Sequence, residues 1–316
     1  MTPTAAAASA QWISHPHRAI RPPRQWRESA VSERIGSLGE IGGPYRAVLC
    51  DLWGCYHDGI APFAEAITAL RRYRAEGGIV VLLTNAPRPV EGVVRFLGRI
   101  GAPSDSHDGI MSSGEACVEA VRSGRHGRAF HYVGPERDAD ILAATGCAPV
   151  PLGEADALLC TGLRDDRRER PEHYRGEIAE WAARGLPMLC ANPDIVVDRG
   201  TERLWCAGAL ARDYAAAGGE VSYFGKPYRP VYEAALALVS QIAGERVARE
   251  DVLAIGDGPE TDLRGAATMG MDALFVTAGI VWADYGSDPE NPDAARLSDY
   301  LARTGLAPAY WMPRLA

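Results

Sequence analysis

From residue 45 onward the chain alternates short apolar runs with longer segments of helical periodicity. Runs such as "AVLCD" (47–51) and "IVVLLTN" (79–85) turn polar only at their last positions, so strands built from them have no face to show to water. Strands that are apolar on both faces belong to parallel sheets covered by helices on each side. The intervening segments supply those helices. "FAEAITALRRYRAEGG" (63–78) reads as an amphipathic helix closed by Gly-Gly, and "VEGVVRFLGRIG" (90–101) as the next.

After "GIMSSG" (109–114) and a further helix, a second alternation begins. Strands are expected near 129–133, 156–162 and 187–193, with helices near 136–145, 171–185 and 206–217. The first pattern then resumes, with strands at 221–225, 252–257 and 273–279 and helices at 230–242 and 261–269. No internal repeat or heptad run interrupts it.

Composition limits the function classes. With 47% hydrophobic and 23% charged residues the chain is of ordinary globular type, and its net charge of -8 argues against a nucleic-acid surface. No run reaches the roughly 18 to 20 apolar residues that span a bilayer. The seven cysteines (50, 55, 117, 147, 160, 190 and 206) are scattered and contain no C-x-x-C, which fits a reducing, cytoplasmic compartment and argues against a zinc site. The first 30 residues lack the apolar core of a signal peptide and read as an arm, with His15 and His17 facing solvent.

Parallel sheets bind ligands at the carboxyl ends of their strands. Those ends carry Asp51, Thr84-Asn85, Lys226 and Asp257, expected on successive strands of one sheet. Any one of them alone is ordinarily a turn or helix cap. Together, two carboxylates suit a hard divalent cation, while a hydroxyl, backbone N–H groups and an ammonium suit a phosphate. Lys226 is the single lysine among 33 basic residues. Guanidinium is wider and holds its donors in a fixed fork, so a lysine kept at this one position raises the question of what a compact ammonium does there.

These residues resemble the haloacid dehalogenase superfamily, in its class IIA branch, the type of the N-acetylglucosamine-operon nucleotidase and the 4-nitrophenyl and phosphoglycolate phosphatases. "AVLCDLWG", "LLTN", "GKP" and "IGDGPETD" stand in the order of that family's four motifs, and "ANPD" (191–194) and "RGAATMGMDALFVTAG" (264–279) are similar to class IIA sequence. The resemblance covers about residues 31–285. It implies an α/β fold: a Rossmann-like parallel-sheet core (31–126 and 222–316) with an α/β cap (127–221) inserted between the second and third motifs. It further implies that Asp51 is the nucleophile, forming a phospho-aspartyl intermediate. Thr84 and Asn85 would hold the phosphoryl group, with Lys226 bridging it to Asp51. Mg²⁺ would be bound by Asp51, the Trp53 backbone carbonyl and Asp257, with Asp262 acting through water. Asn192 and Asp194 would contribute from the cap, and pairing through the caps is the implied homodimer. The expected substrate is a small phosphorylated metabolite.

One position departs from the pattern. The family's phosphatases place a second Asp two residues after the nucleophile to protonate the leaving oxygen, and here that residue is Trp53. Indole offers one N–H donor and no acid–base cycle near neutrality. His57 and Asp58 are the nearby candidates to replace the acid. Three readings follow: a Mg²⁺-dependent phosphatase, a dehalogenase-like hydrolase that needs no general acid, and a phospho-ligand binder without turnover.

Overall fold

The computed structural model describes residues 32–41, 45–199 and 202–316, so the arm expected over 1–30 lies outside the described residues. Its strands, in chain order, are β1 (Glu33–Arg34), β2 (Ala47–Asp51), β3 (Ile79–Thr84), β4 (Gly109–Ser112), β5 (Phe130–Val133), β6 (Ala157–Cys160), β7 (Met188–Cys190), β8 (Val196–Arg199), β9 (Glu202–Trp205), β10 (Val221–Tyr223), β11 (Val252–Gly256), β12 (Asp272–Val276) and β13 (Tyr310–Met312).

The largest sheet has the order β1-β13-β12-β11-β2-β3-β4 and is parallel throughout. Alternate residues of each strand enter two separate apolar clusters, one per face. Ala47, Leu49, Val81, Leu83, Ala254 and Phe275 fill one, and Val48, Cys50, Val80, Leu82, Ile255 and Leu274 fill the other. Helix Ala64–Ala75 covers the second face with Ala66, Ile67 and Leu70, whereas helix Arg229–Ala243 covers the first with Val231, Tyr232 and Ala235. Each fully buried Leu or Val contributes about 1.5–3 kcal/mol, which is why such runs hold β2 and β3 inside the sheet rather than at its edges. The Gly-Gly stop after the first helix is present: Gly77 takes a φ of +89°, and the Gly78 N–H donates to the Tyr73 carbonyl at 3.0 Å.

A second parallel sheet, ordered β10-β7-β6-β5, rises from the chain between β4 and β11. Ala157 and Leu159 of β6 join the apolar cluster that covers Leu49, so one core is continuous between the two sheets. Leu158 and Cys160 point the other way, toward Trp181 and Tyr214. β8 and β9 form an antiparallel hairpin.

Two expectations are corrected. The run 221–225 was expected to restart the first sheet, but β10 pairs with β7 and belongs to the second, so a boundary at 221/222 cuts through a strand. Helix 261–269 is α-helical only from Arg264, because residues Pro259–Leu263 form a wider π turn. β1, β13, the β8–β9 hairpin and helix Ala294–Thr304 were not anticipated. Among the described residues no helix is long and apolar enough to cross a membrane, and all seven cysteines are free thiols.

Candidate active site

The sheet order makes the site. β11, β2 and β3 are neighbours, so Asp257, Asp51 and Thr84-Asn85 emerge side by side at their carboxyl ends. No strand of this sheet brings Lys226, contrary to the expectation of four successive strand ends. It sits three residues beyond β10, and the loop leaving the second sheet delivers it to the first.

The Lys226 Nζ donates to Asp51 Oδ1 at 2.5 Å and to Asp262 Oδ1 at 2.8 Å, with the lysine only 3% exposed. Asp262 stands on the π turn. Its other oxygen accepts from the Gly258 N–H at 3.2 Å and the Thr261 hydroxyl at 3.1 Å, which fixes the carboxylate. Such wide turns recur where a helix must aim a side chain at a functional site. Asp257 accepts from the Ile280 N–H at 2.9 Å and is packed between two glycines. A Cβ on Gly54, whose φ is +82°, would fall 2.3 Å from its carboxylate, and one on Gly279 would fall 2.0 Å away. Only glycine permits that approach.

Three buried carboxylates thus face one ammonium. Burial works against the Lys226 charge, but Asp262 and Asp51 outweigh it and hold its pKa well above the ordinary lysine value. Burial raises Asp51 against the pull of Lys226, with Asp262 and Asp257 adding to the rise. Asp257 is pushed up to about 7 by burial and then by the charge of Asp262. The excess negative charge is what a divalent cation would neutralise. Oxygen donors from Asp51 and Asp257 are hard donors of the kind that a divalent cation such as Mg²⁺ takes. Cys55, absent from the sequence-level candidates, brings its Sγ into the same cluster: donor atoms of Asp51, Cys55 and Asp257 all lie within 4.8 Å of one another.

The turn after β2 carries the residues weighed as substitute acids. Trp53 lies over Gly59 and edge-on to His57, with ring centroids 5.1 Å apart. His57 is 1% exposed, packs against Phe96, and its Nδ1 accepts from the Gly59 N–H at 3.0 Å. Burial lowers its pKa to about 4. The ring is therefore neutral near pH 7, and its remaining N–H is too weak an acid to protonate a leaving group. Asp58 is exposed, and its Oδ1 caps the turn by accepting from Ile60 and Ala61 N–H groups at 2.8 Å each. Both side chains are occupied with holding the turn.

Asn85 joins the two sheets. Its Oδ1 accepts from the Lys226 N–H at 2.7 Å, and its Nδ2 donates to the Lys226 carbonyl at 3.1 Å and to Asp194 Oδ1 at 2.8 Å. Asn192 supports Asp194, accepting from its backbone N–H at 3.0 Å. Burial raises the Asp194 pKa, with the Asn85 bond opposing. Thr84 is buried beside them, its hydroxyl accepting from the Ala86 N–H at 3.2 Å.

Comparison with known proteins gives matches over most of the chain. Residues 48–148 match the family described as haloacid dehalogenase-like hydrolase, and residues 223–303 match a second family of HAD-hydrolase-like proteins. The crystal structure of a hydrolase of the haloacid dehalogenase-like family from Brucella suis 1330 is 40% identical, covers 90% of this chain and 99% of its own, and superposes with a TM-score of 0.77. The D-glycerol 3-phosphate phosphatase of Mycobacterium tuberculosis is 26% identical over 252 residues, 77% of this chain. The phosphoserine phosphatase of Thermus thermophilus is 32% identical over 171 residues, 52% of this chain. The matches span 66% and 61% of the lengths of those two phosphatases.

Proposed function

Because the chain belongs to the haloacid dehalogenase-like hydrolases, with its second sheet inserted between Thr84 and Lys226 as in class IIA, we propose that it is a Mg²⁺-dependent phosphatase of small phosphorylated metabolites that works through a phospho-aspartyl Asp51. The observation that carries this reading is the Lys226 ammonium shared by Asp51 and Asp262 beside the packed carboxylate of Asp257. The names of the two curated relatives favour phosphate esters over halides as substrates.

In this reading Asp51 attacks phosphorus and the P–O bond to the leaving group breaks. Lys226 orients the attacking carboxylate and draws charge from the phosphoryl oxygens, while Thr84 and backbone N–H groups hold the remaining oxygens. Water then cleaves the phospho-aspartate and releases inorganic phosphate. Asp51, Asp257 and the Trp53 carbonyl would hold Mg²⁺, with Asp262 supporting it through water; when bound, the ion stabilises the charge that develops on the phosphoryl group. Residues 127–223, extended to the end of β10, act as the cap that selects the substrate, with Asn192 and Asp194 as its contribution nearest the site.

The test is phosphate release from a panel of phosphorylated metabolites by the purified chain, with Mg²⁺ and with chelator. Asp51→Asn is expected to abolish turnover with the fold intact, and chelator to silence the native protein until Mg²⁺ is restored. Full activity in chelator would overturn the metal site. Halide release under the same conditions would favour the dehalogenase-like reading. Wild-type turnover in Asp51→Asn would remove the nucleophile.

A further inference from the structure

The spacing of the cysteines carries no metal signature, yet Cys55 ends within the carboxylate cluster. It does so because "DLWGC" turns back on itself immediately after β2. The Tyr56 and His57 N–H groups both donate to the Leu52 carbonyl, at 2.8 and 3.0 Å, and the Gly54 N–H donates to the His57 carbonyl at 3.0 Å. Tyr56 anchors the turn from behind, with its hydroxyl 2.7 Å from the Ser106 hydroxyl. Cys55 is 1% exposed, so the thiol is held inside the cluster and away from solvent.

A site of two carboxylates and a carbonyl is a hard oxygen site. A thiol within 4.8 Å of both carboxylates changes the donor chemistry. Mg²⁺ has little affinity for sulfur, whereas zinc and cobalt take mixed S/O sets readily. Resting on the Mg²⁺ reading above, we propose that Cys55 is a conditional ligand: Mg²⁺ leaves it as a thiol, whereas a thiophilic divalent cation takes its sulfur together with Asp51 and Asp257. In that exchange the S–H bond breaks, a sulfur–metal bond forms, and the proton leaves to solvent. Zinc held by that sulfur then competes with Mg²⁺ for Asp51 and Asp257.

The experiment uses the full chain stripped with chelator and titrated with Co²⁺ as the probe, then with Zn²⁺ and Mg²⁺ as competitors. Wild type is expected to develop a near-ultraviolet thiolate-to-cobalt absorption band that excess Mg²⁺ or Zn²⁺ removes. Cys55→Ser and Cys55→Val are expected to lack the band while still binding Co²⁺, and to bind Zn²⁺ about 10- to 100-fold more weakly relative to Mg²⁺. Asp257→Asn, which leaves the thiol in place, is expected to lose the band as well. Thermal melts establish that each variant is folded. Cobalt binding without the band in wild type overturns the role of Cys55 and leaves the Mg²⁺ reading standing. A band that persists in both Cys55 variants assigns it to another thiol and also overturns it. Failure of Co²⁺ and Mg²⁺ to bind wild type at all overturns both readings.

Discussion

Lys226 reaches two carboxylates at 2.5 and 2.8 Å from a pocket that leaves it 3% exposed, and both contacts come from a single nitrogen. A guanidinium spreads its donors over a wider plane and cannot place one atom between Asp51 and Asp262. Lys226→Arg is therefore expected to lose nearly as much kcat as Lys226→Ala, about 100-fold or more by analogy with the loss of one charge-stabilising donor. Near-normal turnover in the arginine variant would make the lone lysine incidental. Trp53 poses the opposite case, a position where the expected acid is missing and where His57 and Asp58 are both engaged elsewhere. General acid help is typically worth about 10²- to 10⁴-fold. Without it, esters whose leaving groups depart unprotonated gain an advantage. The ratio of kcat/KM for an aryl over an alkyl phosphate is expected to favour the aryl ester in wild type and to shrink in Trp53→Asp. Because the indole packs on Gly59 and His57, the melting temperature is measured alongside. Equal rates for the two esters in wild type would mean that another group supplies the proton.

The turn between β2 and the first helix is an element whose stability depends on a neutral histidine. His57 has a pKa lowered from 6.5 to about 4 when folded. Between those values the unfolded chain binds a proton that the folded chain excludes, so stability is full above the upper value and falls as pH drops toward the lower one. A shift of this size corresponds to about 3 kcal/mol across the window. In chelator the raised pKa of Asp257 works in the opposite sense, but it is common to both proteins. The urea midpoint of wild type relative to that of His57→Gln is therefore expected to be lower at about pH 5 than at about pH 7. Parallel pH profiles in the two proteins would show that His57 is not the group responsible. Elements of this kind also mark how far the sequence could be read. Asp51, Thr84 and Asp257 were legible because a strand's last residue is fixed by the end of its apolar run. β10 was assigned to the wrong sheet because apolar periodicity specifies a buried strand and not its neighbour. β1, with two residues, and β13, with three, are too short to show any period. Cys55 and Gly279 were invisible as site residues, since their contacts with Asp257 arise only when β2, β11 and β12 lie side by side.

The two sheets share an apolar core and several polar contacts, Arg88 with Asp138 among them, but at the site the link runs through one side chain. Asn85 leaves β3 of the first sheet and binds the main chain of Lys226, which follows β10 of the second, and the carboxylate of Asp194, which follows β7. The bonds are mutually dependent. Asn85 Oδ1 can meet the Lys226 N–H only in an orientation that also turns Nδ2 toward Asp194, so the second sheet and the lysine loop are positioned together. In Asn85→Ala the buried N–H of Lys226 and the Asp194 carboxylate both lose a partner. Leaving one buried polar group unsatisfied costs about 1–3 kcal/mol. The effect on catalysis is expected mainly in kcat, by about 10- to 100-fold, because the ammonium loses its fixed place before the substrate's charge does. Asp194→Ala removes only one arm of the link and is expected to cost less. If Asn85 is the shared hub, the double variant is no worse than Asn85→Ala alone, with a coupling of about 0.5–3 kcal/mol in the cycle. The measurement is kcat and KM for all four proteins against one phosphate ester, with urea unfolding to separate lost stability from lost alignment. Strict additivity, or an Asn85→Ala variant that loses stability but keeps kcat, would mean that the lysine loop keeps its place without the Asn85 amide, held by the carboxylates of Asp51 and Asp262 and the apolar core.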